Sequence, residues 1–184
     1  VEHGPTEEFE AAAEKARRGP GTGDRGSGKS LAGSRTPDPA PRYFHWPLEF
    51  PEVIVKRGGF DAFVGNPPFM GGQKITGNLG TAYRDYLVNH LANDQRGSAD
   101  LCAYFFLRAG QLLRHGGHLG FLATNTIAQG DTREVGLEQL VGGEPGASAT
   151  GRGCIIPRAV PSRPWPGTAS LEVAHVWIRK GMWH

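Results

Sequence analysis

Hydrophobic positions are sparse over the first 42 residues and dense from residue 43 onward. The apolar run Phe60–Val64 stops at Gly65 and predicts a short buried strand. The stretch HLGFLAT, residues 118–124, predicts the next strand, and GCIIPRA and LEVAHVWIRKG predict two more. Apolar residues at helical spacing predict helices over residues 79–92, 98–117 and 131–140.

Strands that alternate with helices predict an α/β fold with a mainly parallel sheet and flanking helices. The helix over 98–117 connects the first two strands, so Phe60–Val64 and Leu119–Thr124 are predicted to be adjacent and parallel. Ligands of such sheets bind beyond the carboxyl ends of the strands. Asn66 and Asn125 follow these two strands, and we expect them at the same edge of the sheet.

The first 42 residues are predicted to be separate from the domain at 43–184. Residues 6–18 predict a short helix, and residues 19–42, rich in Gly and Pro, predict a disordered linker. The linker contains GDRGSGKS, residues 23–30, which matches a phosphate-binding loop. That motif requires a preceding strand and a following helix, and neither is predicted here. We therefore favour a chance match within a linker.

Composition narrows the function only slightly. The chain has 184 residues and a formal net charge of +2, too balanced to indicate a nucleic-acid binder by itself. Cys102 and Cys154 form neither a metal-binding spacing nor a disulfide framework, and Cys102 is predicted to be a buried thiol. There is no apolar segment of transmembrane length and no predicted metal site, so we expect a cytoplasmic protein with no membrane partner.

The tip Asn66–Phe69, sequence NPPF, has a distinctive chemistry. Pro67 and Pro68 lack N–H groups and restrict the backbone, so the tip offers carbonyl acceptors without competing donors. The Asn66 side chain adds another acceptor, and Phe69 adds a flat apolar face. The tip suits a planar ligand with an exocyclic amino group, whose N–H groups bond to Asn66 and the Pro67 carbonyl while its ring stacks on Phe69.

This tip resembles the catalytic motif of amino-methyltransferases that use S-adenosylmethionine. More specifically, the chain resembles adenine-N6 DNA methyltransferases of restriction-modification systems, including large single chains that also carry a nuclease. The resemblance covers most of residues 43–183. It rests on FHWPLEFPEV (44–53), GGFDAFVGNPPFMGGQKITG (58–77), GSADLCAYFFLRAGQLLRHGGHLGFLATNTIAQGDTRE (97–134) and RAVPSRPWPGTASLEVAHVWIRKG (158–181).

The resemblance implies a partial Rossmann-like methyltransferase sheet with flanking helices. It also implies direct methyl transfer from S-adenosylmethionine to a flipped adenine of DNA, with Asn66, Pro67, Pro68 and Phe69 as the catalytic residues. In the family, a Gly-rich turn and an acidic strand end that hold the cofactor precede the tip. Nothing before Tyr43 matches them. We therefore expect the C-terminal part of the catalytic domain, with a second chain carrying the cofactor-binding half as a partner.

Other candidate residues have two interpretations each. Lys74 is either a phosphate contact or a solvated surface charge. A predicted proline-rich loop carries Arg158, Arg163 and Trp165, and all three are candidates for lining the DNA. Trp165 has a second interpretation, in which its ring packs beneath the loop. Asp100 either borders the cofactor or caps the second helix, a place that Ser98 fits as well.

Two functions from different classes remain open. The first is an enzyme, or part of one, for adenine-N6 methylation of DNA. The second is a catalytically inactive remnant that acts at most as a DNA-binding or partner-binding module. For the first function, activity of the lone chain stays open, because nothing before Tyr43 matches the cofactor-binding half.

Overall fold

The computed structural model describes residues 44–141, 153–166 and 168–181. The predicted helix over 6–18, the predicted linker over 19–42 and its phosphate-loop match lie outside these residues. None of the helices in the described part is long and apolar enough to cross a membrane.

Four strands and six short α-helices make up the described part of the chain. The strands are β1 Phe60–Gly65, β2 Leu113–Thr124, β3 Cys154–Pro164 and β4 Glu172–Lys180. The helices are α1 Trp46–Glu49, α2 Gly72–Leu79, α3 Thr81–Tyr86, α4 Leu101–Leu112, α5 Gly130–Arg133 and α6 Gln139–Val141. Wider π-helical turns occur at Glu52–Lys56, Leu87–Leu91 and Glu134–Glu138, and a 3₁₀ turn at Asn125–Ala128.

The strands form one mixed sheet in the order β1-β2-β4-β3. β1 and β2 pair in parallel, with Val64 opposite Gly120 and Gly65 opposite Phe121, which confirms the predicted adjacency of these strands. The expectation of a mainly parallel sheet is wrong for the described strands, because β4 runs antiparallel to both β2 and β3. β4 follows β3 after a short connection, and a short connection joins antiparallel neighbours.

The core lies between α4 and one face of the sheet. Cys102, Ala103 and Phe106 of α4 are fully buried, and the Phe106 ring meets the Phe121 ring of β2 edge to face at 5.2 Å. Burying a side chain of this size contributes about 1.5–3 kcal/mol. Asp100 begins α4, because its side chain accepts a hydrogen bond from the N–H of Cys102.

The second predicted helix ends earlier than its apolar pattern indicates. It was expected to reach residue 117 and give way to a strand at 118, but α4 ends at Leu112 and β2 begins at Leu113. Phe60 pairs with Leu113 and Ala62 with His118, so the intervening residues of β2 bulge out of the ladder. Gly116, at φ +79°, allows this bulge. The two adjacent glycines, Gly116 and Gly117, therefore lie in a bulged strand and do not end the helix.

The proline-rich stretch is also different from the prediction. The strand predicted from GCIIPRA was expected to give way to a loop over residues 158–167, yet β3 continues to Pro164 and includes both Arg158 and Arg163. β3 pairs only with β4 in the described sheet, and an edge strand tolerates prolines that have no N–H to donate. Its pairing with β4 shifts register around Pro157 and Pro161, which places each proline at an irregularity.

Lys180, at the end of β4, closes the C-terminus of α4. Its Nζ donates to the carbonyl oxygens of Gly110 at 2.9 Å, Gln111 at 3.2 Å and Leu113 at 2.7 Å. The last carbonyls of a helix have no partner within the helix, and a cation there also interacts favourably with the helix dipole. One ammonium group thus connects the last strand to the end of the central helix.

We expect Lys180→Met to lower the free energy of unfolding by about 2–3 kcal/mol, because hydrogen bonds from a charged donor are lost while the carbonyls stay half-buried. Chemical denaturation of the full chain measures this. Lys56→Met, on an exposed π-helical turn, is the matched control and changes little. Equal stabilities of the two variants would contradict the role given to Lys180.

Both cysteines are buried and neither forms a disulfide; a buried thiol was predicted for Cys102. Burial raises the pKa of the Cys102 thiol to about 12, and the neighbouring Asp100 carboxylate adds to the shift. Since the thiolate is the reactive form, we expect Cys102 in the Cys154→Ser variant to react with a disulfide reagent at pH 8 roughly a thousandfold slower than in denaturant. Rapid stoichiometric labelling of the native variant would show that Cys102 is accessible.

Candidate functional site

The NPPF tip leaves β1 at the carboxyl edge of its parallel pairing with β2. Asn66 is exposed, Pro67 is buried and Pro68 is exposed. Phe69 is half-buried and packs on the core, so only part of its ring remains uncovered. The Asn66 side chain, which carries the acceptor oxygen, is therefore accessible to solvent. Pro67 and part of the Phe69 ring connect the tip to the interior.

Polar groups at the end of β2 lie at the same edge of the sheet. The hydroxyls of Thr124 and Thr126 are hydrogen-bonded at 2.7 Å, and Thr124 is also in contact with the Cys102 thiol at 3.9 Å. Asn125 accepts a hydrogen bond from the backbone N–H of Ser162 at 3.2 Å through its side-chain oxygen. Ser162 has φ +48°, an unusual conformation for serine, and this bond connects β3 to the edge.

The backbone directly after the tip is bonded to the start of α4. The N–H of Met70 donates to Oδ1 of Asp100 at 3.2 Å, and the carbonyl of Met70 accepts from the N–H of Leu101 at 2.8 Å. Asp100 is only 7% exposed, and the same Oδ1 accepts the capping bond from Cys102 at 3.0 Å. Asp100 thus caps the helix, as one of its two interpretations held.

The loop before α4 is held from two sides. Arg84 donates to the carbonyl of Gly97 and, at 2.7 Å, to the hydroxyl of Tyr104. Burial raises the pKa of Tyr104, so its phenol remains neutral and can accept this bond. Asp131 accepts from the N–H of Ser98 at 2.5 Å. Arg84 is therefore engaged within the protein.

A groove of about 440 Å³ extends from Asn66 along the sheet face that α4 does not cover. We call this the open face; its residues are Ala62, Val64, Gly120, Leu122, His175 and Trp177. A Cβ at Gly120 would lie 3.4 Å from the Trp177 ring, so the indole crosses the strand where a side chain is absent. Val64 is 90% exposed, which is unusual for a large aliphatic side chain in a parallel pair.

The predicted DNA contacts do not form one cluster. Arg163 is opposite Val173, which is in turn opposite Thr124, so it lies level with the polar edge. Trp165, two residues further on, is half-buried, and its backbone N–H donates to the carbonyl of Leu171 at 2.9 Å. Arg158 instead lies across the Trp177 ring at 5.1 Å, level with the middle of the open face.

Lys74 lies on α2, the helix that follows the tip, and it is exposed. Its backbone carbonyl accepts a hydrogen bond from Asn78 at 3.0 Å, which leaves the ammonium group unaffected. Among the described residues, no three His, Cys, Asp or Glu side chains come together as a metal site would require.

The described residues do not by themselves fit S-adenosylmethionine. Only α1 and a π-helical turn precede β1 in this part of the chain, with no strand that leads into a Gly-rich turn. Asp100, the candidate cofactor contact, is buried, and its Oδ1 already accepts two backbone N–H groups. The contact of Asp100 with the cofactor stays a prediction, because the observed bonds of Asp100 are to backbone groups of the chain itself.

Three contacts, two at the edge and one on the open face, were not apparent from the sequence. They are the bond from Met70 to Asp100, the bond from Ser162 to Asn125 and the placement of Trp177 over Gly120. Each joins residues at least 30 positions apart. The alternation along β4 indicated that Trp177 faces away from the core, but only the strand order shows which glycine it covers.

Comparison with known proteins gives the context for this edge. A family profile described as "Eco57I restriction-modification methylase" matches residues 22–140. A protein of Methanocaldococcus jannaschii named as a type II restriction enzyme and methyltransferase is 29% identical over 87 residues. That match covers 47% of this chain and only 6% of the relative's length. The family match spans more than half of the chain, which confirms the resemblance to restriction-modification methyltransferases, and the chain therefore belongs to the Eco57I restriction-modification methylase family.

Proposed function

We propose that this chain supplies the base-binding part of a DNA adenine-N6 methyltransferase that uses S-adenosylmethionine. The observation that carries the proposal is the exposed Asn66 acceptor at the carboxyl edge of a parallel strand pair, in a chain of this family. In this proposal the mixed sheet is part of a Rossmann-like methyltransferase fold. Ligands of open α/β sheets bind at such an edge.

The tip is suited to an adenine amino group. The amino nitrogen of adenine is a poor nucleophile because its lone pair is conjugated with the ring. Acceptors at the Asn66 side chain and the Pro67 carbonyl would hold its two N–H groups and draw the nitrogen toward tetrahedral geometry. The uncovered part of the Phe69 ring would contact the flipped base, and such stacking contributes about 1–3 kcal/mol.

Basic and aromatic side chains around the edge support DNA as the substrate. Arg163 and Trp165 lie level with the end of β2, and Lys74 is exposed on the helix after the tip. Arg and Lys position a duplex by contacting phosphates, and an aromatic side chain stacks on an unpaired base. Arg158, which stacks on Trp177, is a weaker candidate for a DNA contact in this arrangement.

The cofactor would be held by polypeptide outside the described residues, which we propose to be a partner chain or segment that carries the cofactor-binding half. When bound, S-adenosylmethionine would supply the methyl group. The open face supports such a partner, because a parallel pair is normally covered on both faces. His118 and His175 line the groove and Arg158 lies over the Trp177 ring, so we propose a partner surface that is apolar in its centre and carries hydrogen-bonding and acidic groups at its flanks.

We expect Asn66→Ala to lower kcat about a hundredfold or more, because a preorganised hydrogen bond to the reacting amino group is lost. The measurement is transfer of radiolabelled methyl from S-adenosylmethionine to genomic DNA, with the chain mixed with a polypeptide that carries the cofactor-binding half of a methyltransferase of this family. Asn89→Ala, at an exposed position of the π-helical turn Leu87–Leu91, is the matched control.

Full activity of Asn66→Ala would contradict the assignment of the amino-group acceptor. Failure of the unmodified chain to transfer methyl groups with any cofactor-half polypeptide would favour the inactive, partner-binding or DNA-binding module instead.

We expect Val64→Asp to weaken binding of the cofactor-half polypeptide at least tenfold, since it places a charge in the centre of the surface that the partner would bury. The change should leave the fold intact, because Val64 is 90% exposed in this chain. Titration calorimetry measures the affinity and circular dichroism the fold. Val55→Asp is the matched control, because Val55 is also exposed and does not line the open face.

Unchanged affinity of Val64→Asp would show that the partner binds elsewhere.

A further inference from the structure

The backbone of Met70 is held on both of its polar groups. Its N–H reaches Oδ1 of Asp100 at 3.2 Å, and its carbonyl receives the N–H of Leu101 at 2.8 Å. Met70 directly follows Phe69, so these two bonds fix the chain one residue beyond the tip. On the other side, Gly65 is paired in the sheet and Pro67 has a restricted φ. The tip is thus fixed at both ends.

Asp100 is itself held in place. Its N–H donates to the hydroxyl of Thr132 at 3.1 Å, and both residues are buried, at 7% and 6% exposure. The residue two positions earlier, Ser98, is bonded to Asp131. Two points of attachment to α5 therefore keep the carboxylate from shifting relative to the core.

Close packing of the backbones adds a second restraint. A Cβ at Gly72 would lie closer than 3.0 Å to backbone atoms of Ser98 and Ala99. The segment after the tip therefore lies directly against the loop that carries Asp100, with no side chain between them. A hydrogen bond at Met70 in this setting has little freedom to lengthen.

We propose that Asp100 is a positioning residue that acts through the Met70 N–H to set the orientation of Phe69 and Asn66 toward the incoming amino group. Both backbone donors bond to the same oxygen, Oδ1. The contact therefore requires an acceptor at that point and not a negative charge. This role differs from the predicted contact with the cofactor, and it rests on the proposed function for what the tip binds.

Three substitutions separate the parts of this role. Asp100→Asn retains an oxygen at the Oδ1 position and can accept both bonds. Asp100→Ser retains the cap, since serine is a good N-cap, but its shorter side chain does not reach Met70. Asp85→Ser, on the exposed part of α3, is the control for removal of an aspartate.

The decisive measurement is the rate of amide hydrogen exchange in the full 184-residue chain, monitored for individual amides by NMR. We expect the Met70 amide to exchange about tenfold faster in Asp100→Ser, while the Cys102 amide stays protected by the serine cap. Asp100→Asn should keep both amides within about threefold of the unmodified chain. A Met70 amide that is unaffected by Asp100→Ser would overturn the proposal.

The methyl-transfer assay described above gives the second readout. Asp100→Ser should lower kcat about tenfold with the KM for S-adenosylmethionine unchanged, and Asp100→Asn should restore kcat. Loss of transfer in Asp100→Asn with a protected Met70 amide would overturn the proposal in favour of a charge contact with the cofactor. Absence of transfer by the unmodified chain would count against the proposed function alone, because the exchange measurement does not depend on turnover.

Discussion

The parallel pairing of β1 with β2 is the constraint on which the site depends. It places Gly65 opposite Phe121 and brings the residues after both strands to one edge. An antiparallel pair would put Asn66 and Asn125 at opposite ends of the sheet. The pairing is possible because α4 fills the crossover and buries its apolar side chains against β2. Burial of one helix therefore determines where the polar tip lies.

Two further groups of hydrogen bonds hold that edge. On the side of α4, Asp100 and the backbone of Leu101 bond to Met70 after the tip. On the side of β3, Asn125 bonds to Ser162. At the far end of the molecule, Lys180 fixes the C-terminus of α4 to β4. The buried face is thus tightly connected, whereas the open face carries Val64 and Trp177 with no covering layer in the described residues.

The local elements were largely predictable from the sequence, because apolar periodicity and capping residues act over short distances. β1, the central part of α4, β2 and β4 were found where the pattern indicated. The end of α4 was not, since Gly116 and Gly117 fit a helix end and a strand bulge equally well, and only pairing with β1 decides between them. The first half of β3 was predicted as a strand, but its continuation through Pro161 to Pro164 was not, because prolines are tolerated in a strand only at an edge and strand order is not encoded locally.

The candidate site was predictable in its tip but not in its supports. NPPF carries its own chemistry, so Asn66 and Phe69 could be singled out without a structure. Asp100 could be predicted as a helix cap, but its bond to Met70 could not, because the two residues are 30 positions apart in the sequence. Arg158 and Arg163 are close in sequence, but their positions along β3 differ: Arg158 lies opposite Trp177 and Arg163 opposite Val173, near the polar edge.

The central claim, that the tip serves an adenine amino group, is tested most directly by the chemical identity of the product. DNA from cells that express this chain together with a polypeptide that carries the cofactor-binding half of a methyltransferase of this family can be digested to nucleosides and analysed by chromatography and mass spectrometry. The account predicts N6-methyl-2′-deoxyadenosine, in amounts that exceed those in cells that express the cofactor half alone. Methylation found on cytosine instead would contradict it.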